Sequence, residues 1–187
     1  TVLGWLGFSL ELPTAMFFAS NLLRIAEKTA AARSGGDPSR VDAPRPLFAE
    51  AAIFLLLLAA HDYETLRFPL SMLGAAVATV IVSPGMGAAG ALTRASTGAS
   101  LSNDLAAAVR CASWKLLGYR HSDYVDAMDA VAVALQRAQH RAINARALIA
   151  EFSQSCHHSV ASLYVSAAAR APVGELGADA TAPLPVA

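Results

Sequence analysis

Apolar residues along this chain gather into runs with helical spacing, divided by clusters of Pro, Gly, Ser and Asp. Thr1–Leu12 reads as the end of a helix followed by an extended connector. Pro13-Thr14 then opens a helix predicted to reach Ala32. Met16, Phe17, Ser20 and Leu23, with Ala26 or Lys28 beyond them, mark its apolar side, a spacing that holds only in the first turns. Ser34–Pro46, carrying Gly35-Gly36-Asp37-Pro38 and two further prolines, is a linker. A buried helix follows over Pro46–His61, with proline well placed in its first turn. Asp62–Phe68 is a short connector. Ser71 is the expected cap of the next helix, which runs to Val82. Ser83–Leu101, rich in Gly, Ala, Ser and Thr, reads as a mobile loop. Ser102-Asn103-Asp104 is expected to cap a helix that Gly118 ends after Leu117. Ser122 or Asp123 caps another that continues past Leu135. From Met128 onward one helical face is marked by Ala132, Leu135, Ala142, Ala145, Ile149, Phe152 and Cys156. Arg170–Ala187, rich in Pro, Gly and Ala, reads as disordered.

Composition sharpens this picture. The 187 residues suffice for one domain with a sizeable core, and an alanine-rich chain with few β-branched residues in most segments favours helices. Fourteen basic and fourteen acidic side chains cancel, so no basic surface points to nucleic acid. Crossing a bilayer takes about 20 consecutive apolar residues. Leu47–Ala60 falls short and contains Glu50; Phe68–Val82 is broken by Ser83-Pro84-Gly85. Both read better as core helices than as a membrane hairpin, which remains the rival architecture. No basic stretch precedes the first apolar run, so no signal peptide is expected.

Candidate chemistry is sparse. Cys111 and Cys156 fit no metal spacing and read as free thiols. Neighbouring His157 and His158 point apart on regular backbone and lack a third ligand, so no metal is expected. His61-Asp62 reads as a polar helix exit rather than an acid–base pair. Asp123, Asp126 and Asp129 suit a solvated helix start. Trp5 and Trp114 are expected as core or interface anchors. Neither a cofactor-binding glycine loop nor a nucleophile–base pair stands out, and an enzyme is the least supported class.

Four segments, in order, resemble the C-terminal cyclin box of A/B-type (mitotic) cyclins. Phe8-Ser9-Leu10-Glu11-Leu12-Pro13-Thr14 is similar to the Phe-x-Leu-x-x-Pro-Thr segment that joins the two boxes. Ala49–Asp62 is similar to the family's apolar second helix with its acidic end. Leu66–Ala76 is similar to the Pro-Ser-x-x-Ala-Ala-Ala start of its central helix, although Pro69 precedes Ser71 by two positions and Gly74 replaces an alanine. Leu116-Leu117-Gly118-Tyr119 with Ser122-Asp123-Tyr124, and Phe152–Ala161, resemble its later joints, with Ser159 where glycine is usual. The resemblance covers about residues 2–163.

It implies an all-α, five-helix cyclin-box fold with a central buried helix and a C-terminal helical extension. Residues 1–13 become the end of an N-terminal box and the connector, 14–165 the C-terminal box with its last helix, and 166–187 a disordered tail. It further implies a regulatory subunit, without catalysis or cofactor, that binds and activates a cyclin-dependent kinase in the nucleus and cytoplasm. Phe8 and Leu10 are the implied kinase contacts, and the N-terminal box of the same parent protein is the second implied partner. A cyclin-fold scaffold serving other partners is the alternative within the same fold.

Overall fold

The computed structural model describes residues 14–33, 35–83, 99–140, 145–157 and 160–168. These form seven α-helices and no strand: α1 (Ala15–Arg33), α2 (Pro46–Ala60), α3 (Leu70–Val82), α4 (Ala99–Leu117), α5 (Val125–Gln139), α6 (Arg146–Phe152) and α7 (Val160–Ala168). Short 3-10 turns at Pro38–Arg40, Tyr63–Arg67, His121–Asp123 and Ser155–His157 join or follow them. No helix among the described residues is long and apolar enough to cross a membrane.

The centre is α3. Its residues Leu73 to Val82 are all buried, and it packs against α1, α2, α4 and α5. A helix enclosed on every side must be apolar on every side. It must also be slim if four neighbours are to approach, and Gly74, Ala75, Ala76 and Ala78 supply that. At Gly74 the approach is closest. A Cβ added there would lie 2.7 Å from the carbonyl oxygen of Ala15, 2.7 Å from Cβ of Phe18 and 3.1 Å from the amide nitrogen of Ala19. The backbone of α1 therefore rests on the backbone of α3.

That contact also explains where α1 departs from expectation. The side facing the core is Ala15, Ala19, Leu22, Leu23, Ala26 and Ala30; of the expected side Leu23 and Ala26 are buried, whereas Met16 and Ser20 are only half-buried and Phe17 is exposed. Small residues sit where α3 lies against α1, and the bulky Phe17 is left exposed. Ridge-and-groove packing selects the side that lets axes come close, not the side with the largest side chains.

Four polar contacts fix helix directions. Arg33 at the end of α1 pairs with Asp104 near the start of α4 at 3.2 Å, so the two run antiparallel. The hydroxyls of Ser71 on α3 and Tyr119 just after α4 are 2.9 Å apart, so α3 and α4 are antiparallel as well. Arg137 on α5 reaches both carboxylate oxygens of Asp62, just past α2, at 2.9 Å. Buried Tyr124, before α5, places its hydroxyl 3.4 Å from Thr79 Oγ1 near the end of α3. α1 and α3 thus begin at one end of the bundle, where α2, α4 and α5 finish.

Several expected boundaries shift. α3 starts at Leu70 with Pro69 in the cap position, and Ser71 spends its hydroxyl on Tyr119 rather than on a cap. α4 starts at Ala99, so Asn103 and Asp104 lie inside it, and Asp104 serves Arg33 instead of the helix start. The segment expected as a loop over Ser83–Leu101 therefore ends in helix; its residues 84–98 lie outside the described set. Asp123 closes a 3-10 turn by accepting from the Arg120 amide at 2.7 Å, and α5 begins only at Val125. The face expected from Met128 to Cys156 is divided between α5 and α6: Ala132, Leu135, Ala145 and Phe152 are buried and Ile149 partly so, Cys156 is exposed, and Ala142 lies outside the described residues. α7 then closes the core, with Phe152 and Tyr164 packed on Phe54 of α2 at ring-centroid distances of 5.5 and 6.2 Å. Of the disordered tail expected over 166–187, residues 166–168 belong instead to α7, and the rest lies outside the described residues.

Candidate interaction surface

Large apolar side chains that remain in water need a reason when they cluster. Among the described residues the exposed ones are Phe17, Leu57, Tyr63, Leu66, Leu70, Trp114, Leu116 and Val133. Phe17 is in the first turn of α1 and Leu70 begins α3. Leu57 is in the last turn of α2, and Trp114 and Leu116 are in the last turn of α4. Tyr63 and Leu66 belong to the turn between α2 and α3. All of these lie at the one end where α1 and α3 begin; Val133 sits about 9 Å down α5 from its close at that end. The opposite end carries the Arg33–Asp104 pair and, at the start of α5, exposed Asp126.

The turn that presents Tyr63 and Leu66 is firmly held. Asp62 is nearly sealed from solvent, accepts from the Glu64 amide at 3.1 Å and pairs with Arg137. Buried Thr65 donates its hydroxyl to the carbonyls of Ala59 and Asp62. Tyr63 nonetheless stands 86% exposed and Leu66 62%. Asp62 and Thr65 face inward, while Tyr63 and Leu66 stand in water beside exposed Glu64 and Arg67, so a firmly held turn leaves two large apolar side chains facing outward. The expected polar exit at His61-Asp62 is corrected here: Asp62 is a buried anchor whose cation comes from a residue 75 positions later.

Cations border the surface. Arg120 lies over the ring of Trp114 at 5.4 Å, Arg67 over that of Phe68 at 4.8 Å, and Lys115 is exposed between Trp114 and Leu116. Exposed Trp, Tyr and Arg grouped with aliphatic side chains are the residue types that dominate protein–protein interfaces. Trp114, read from sequence as a core or interface anchor, is not in the core. Phe8, Leu10 and Trp5 lie outside the described residues, and the chain that carries them joins this surface at Thr14.

The other candidates form no site; of the His157-His158 pair, His158 lies outside the described residues. His157 Nδ1 is 3.0 Å from Glu50 Oε2 and its ring packs on Phe152 at 4.8 Å. Asp123, Asp126 and Asp129 are exposed, as a solvated helix start requires. Cys111 and Cys156 are free and exposed. Among the described residues no group of three metal-ligating side chains converges. Glu27 on α1 is buried; it accepts from the Arg45 amide at 2.9 Å and has Arg45 Nε at 2.9 Å, but its burial outweighs both and raises its pKa. Burial, helped by the charge of Arg110, lowers the pKa of His121, whose ring meets Tyr124 edge-on at 5.2 Å. Both sit in packing positions rather than in a cleft. Comparison with family models, curated proteins and solved structures finds no match to the chain.

Proposed function

We propose that this chain is the C-terminal box of an A/B-type cyclin and acts as a regulatory subunit of a cyclin-dependent kinase, without catalysis of its own. The observation that carries the reading is the arrangement around α3. An alanine-rich helix ringed by four others supports a cyclin box, and in the sequence the Phe-x-Leu-x-x-Pro-Thr segment directly precedes α1. The acidic residue that closes the second helix, Asp62, is an anchor of the turn before α3, which gives that feature of the resemblance a physical purpose.

In this reading Phe8 and Leu10 lie against the mobile helix of the kinase. Their burial favours the active arrangement of the enzyme, because a partner shifts a conformational equilibrium only by binding one state better than the other. The N-terminal box of the same parent protein is the second partner in this reading. The sites of action are the nucleus and cytoplasm.

The test is capture of purified cyclin-dependent kinases by the full chain, wild type against Phe8→Ala with Leu10→Ala. Loss of two interface anchors weakens binding by roughly 10- to 100-fold. Capture unaffected by the double substitution removes Phe8 and Leu10 from the interface. A folded chain that captures no kinase turns the reading toward a cyclin-fold scaffold for other partners.

A further inference from the structure

The apolar end of the bundle exposes Phe17, Leu66, Leu70, Trp114 and Leu116 on three helices and one turn. Thr14, the first residue described, is exposed at that same end, so the chain before it is tethered to the rim of the surface. Residues 2–12 contain Val2, Leu3, Trp5, Leu6, Phe8, Leu10 and Leu12 and a single charge, Glu11. Eleven residues reach at most about 40 Å when extended, several times the roughly 10 Å spacing of neighbouring helices. Glu11 is close to the tether and opposite in sign to the cations Lys115 and Arg120 on the rim. A segment fixed at one end meets its surface at an effective concentration in the millimolar range, so modest contact area suffices.

We propose that Val2–Leu12 of this chain docks on the apolar end of the bundle and covers Trp114, Leu116 and Leu70. This goes beyond the kinase reading and does not depend on it. Trp5, Leu3 and Leu6 carry the docking here, whereas the kinase contacts there are Phe8 and Leu10.

The chain has two tryptophans, Trp5 and Trp114, so Trp5→Phe leaves Trp114 as the sole reporter. The experiment compares full-length Trp5→Phe with Trp5→Phe carrying Leu3→Ser and Leu6→Ser. Each is measured for Trp114 emission, iodide quenching and sedimentation. Circular dichroism confirms that both stay helical. Docking predicts a monomer in which the added serines move Trp114 emission to longer wavelength and increase quenching, independently of protein concentration. Equal emission and quenching in the two chains overturn the proposal. So does a concentration-dependent dimer whose Trp114 becomes exposed on dilution, which would make a second copy the occupant. Kinase capture by the serine variant, with Phe8 and Leu10 intact, separates failure of this proposal from failure of the kinase reading.

Discussion

Gly74→Ala is the sharpest test of the bundle's construction. On helix propensity alone the change stabilises α3 by about 1 kcal/mol. The contact with α1 opposes it. Three atoms would stand within 3.1 Å of the new methyl group, and two of them, the Ala15 carbonyl oxygen and the Ala19 amide nitrogen, are backbone. The third, Cβ of Phe18, is fixed to the backbone by one bond. No rotamer change relieves these contacts. Restoring an ordinary separation of about 3.5 Å from 2.7 Å moves α1 outward by about 0.8 Å. That motion loosens Leu22, Leu23 and Ala26 along the same helix. Overpacking of this kind costs typically 1–3 kcal/mol, so the net loss after the propensity gain is up to about 2 kcal/mol. For a domain of this size that lowers Tm by up to about 8 °C. Ala15→Gly in the same chain gives no rescue, because the clash is with the Ala15 carbonyl and not its side chain. Thermal melts of the wild type and the two variants decide the matter. A Gly74→Ala chain that shows the whole propensity gain, melting about 2–4 °C above wild type, refutes the close crossing of α1 and α3.

Arg137→Met strips the cation from buried Asp62 and is expected to cost about 2 kcal/mol, below the range for fully buried pairs because Arg137 is 43% exposed. Adding Asp62→Asn recovers part of that loss, and denaturant titration of the double-mutant cycle measures it. His121 resists protonation in the fold, so below pH 6.5 the unfolded chain binds more protons than the native one and stability falls with pH. His121→Asn flattens that slope in chemical denaturation between pH 7 and 5. Glu27 acts in the opposite direction: its raised pKa favours the native state as pH drops toward 4.5, and that contribution is lost as pH climbs through the native value. Glu27→Gln removes this limb of the same profile. Tyr63→Ser with Leu66→Ser, both exposed, leaves Tm within about 1 °C, and a larger fall shows that the two side chains pack rather than face a partner.

Much of the helical order was legible because local chemistry marks it. Pro46 and the His61-Asp62 pair bracket α2 to within a residue, and Gly118, with φ of 74°, ends α4 where a left-handed residue was expected. The caps of α3 and α4 were misread because Ser71 and Asp104 are claimed by Tyr119 and Arg33, residues 48 and 71 positions away. Short-range rules do not see such competition. The Asp62–Arg137 anchor was hidden for the same reason. The apolar end was invisible for another: Phe17, Leu70 and Trp114 look like core residues until the alanine side of α1 and the crossing at Gly74 have used up the interior. The cores of α2 and α3 suffered no such ambiguity, since their apolar runs exceed what any surface helix carries.

The way α7 closes over α2 bears on how the protein is made. Phe54 and Leu58 emerge from the ribosome early, but Tyr164, which packs on Phe54, follows 110 residues after it. At 5–20 residues per second that interval is about 5–20 s. For that time the most apolar helix of the nascent chain lacks part of its cover, so synthesis itself opens a window in which chaperones compete with aggregation. Slowing translation after α2 lengthens that window, and a truncation before Val160 never closes it.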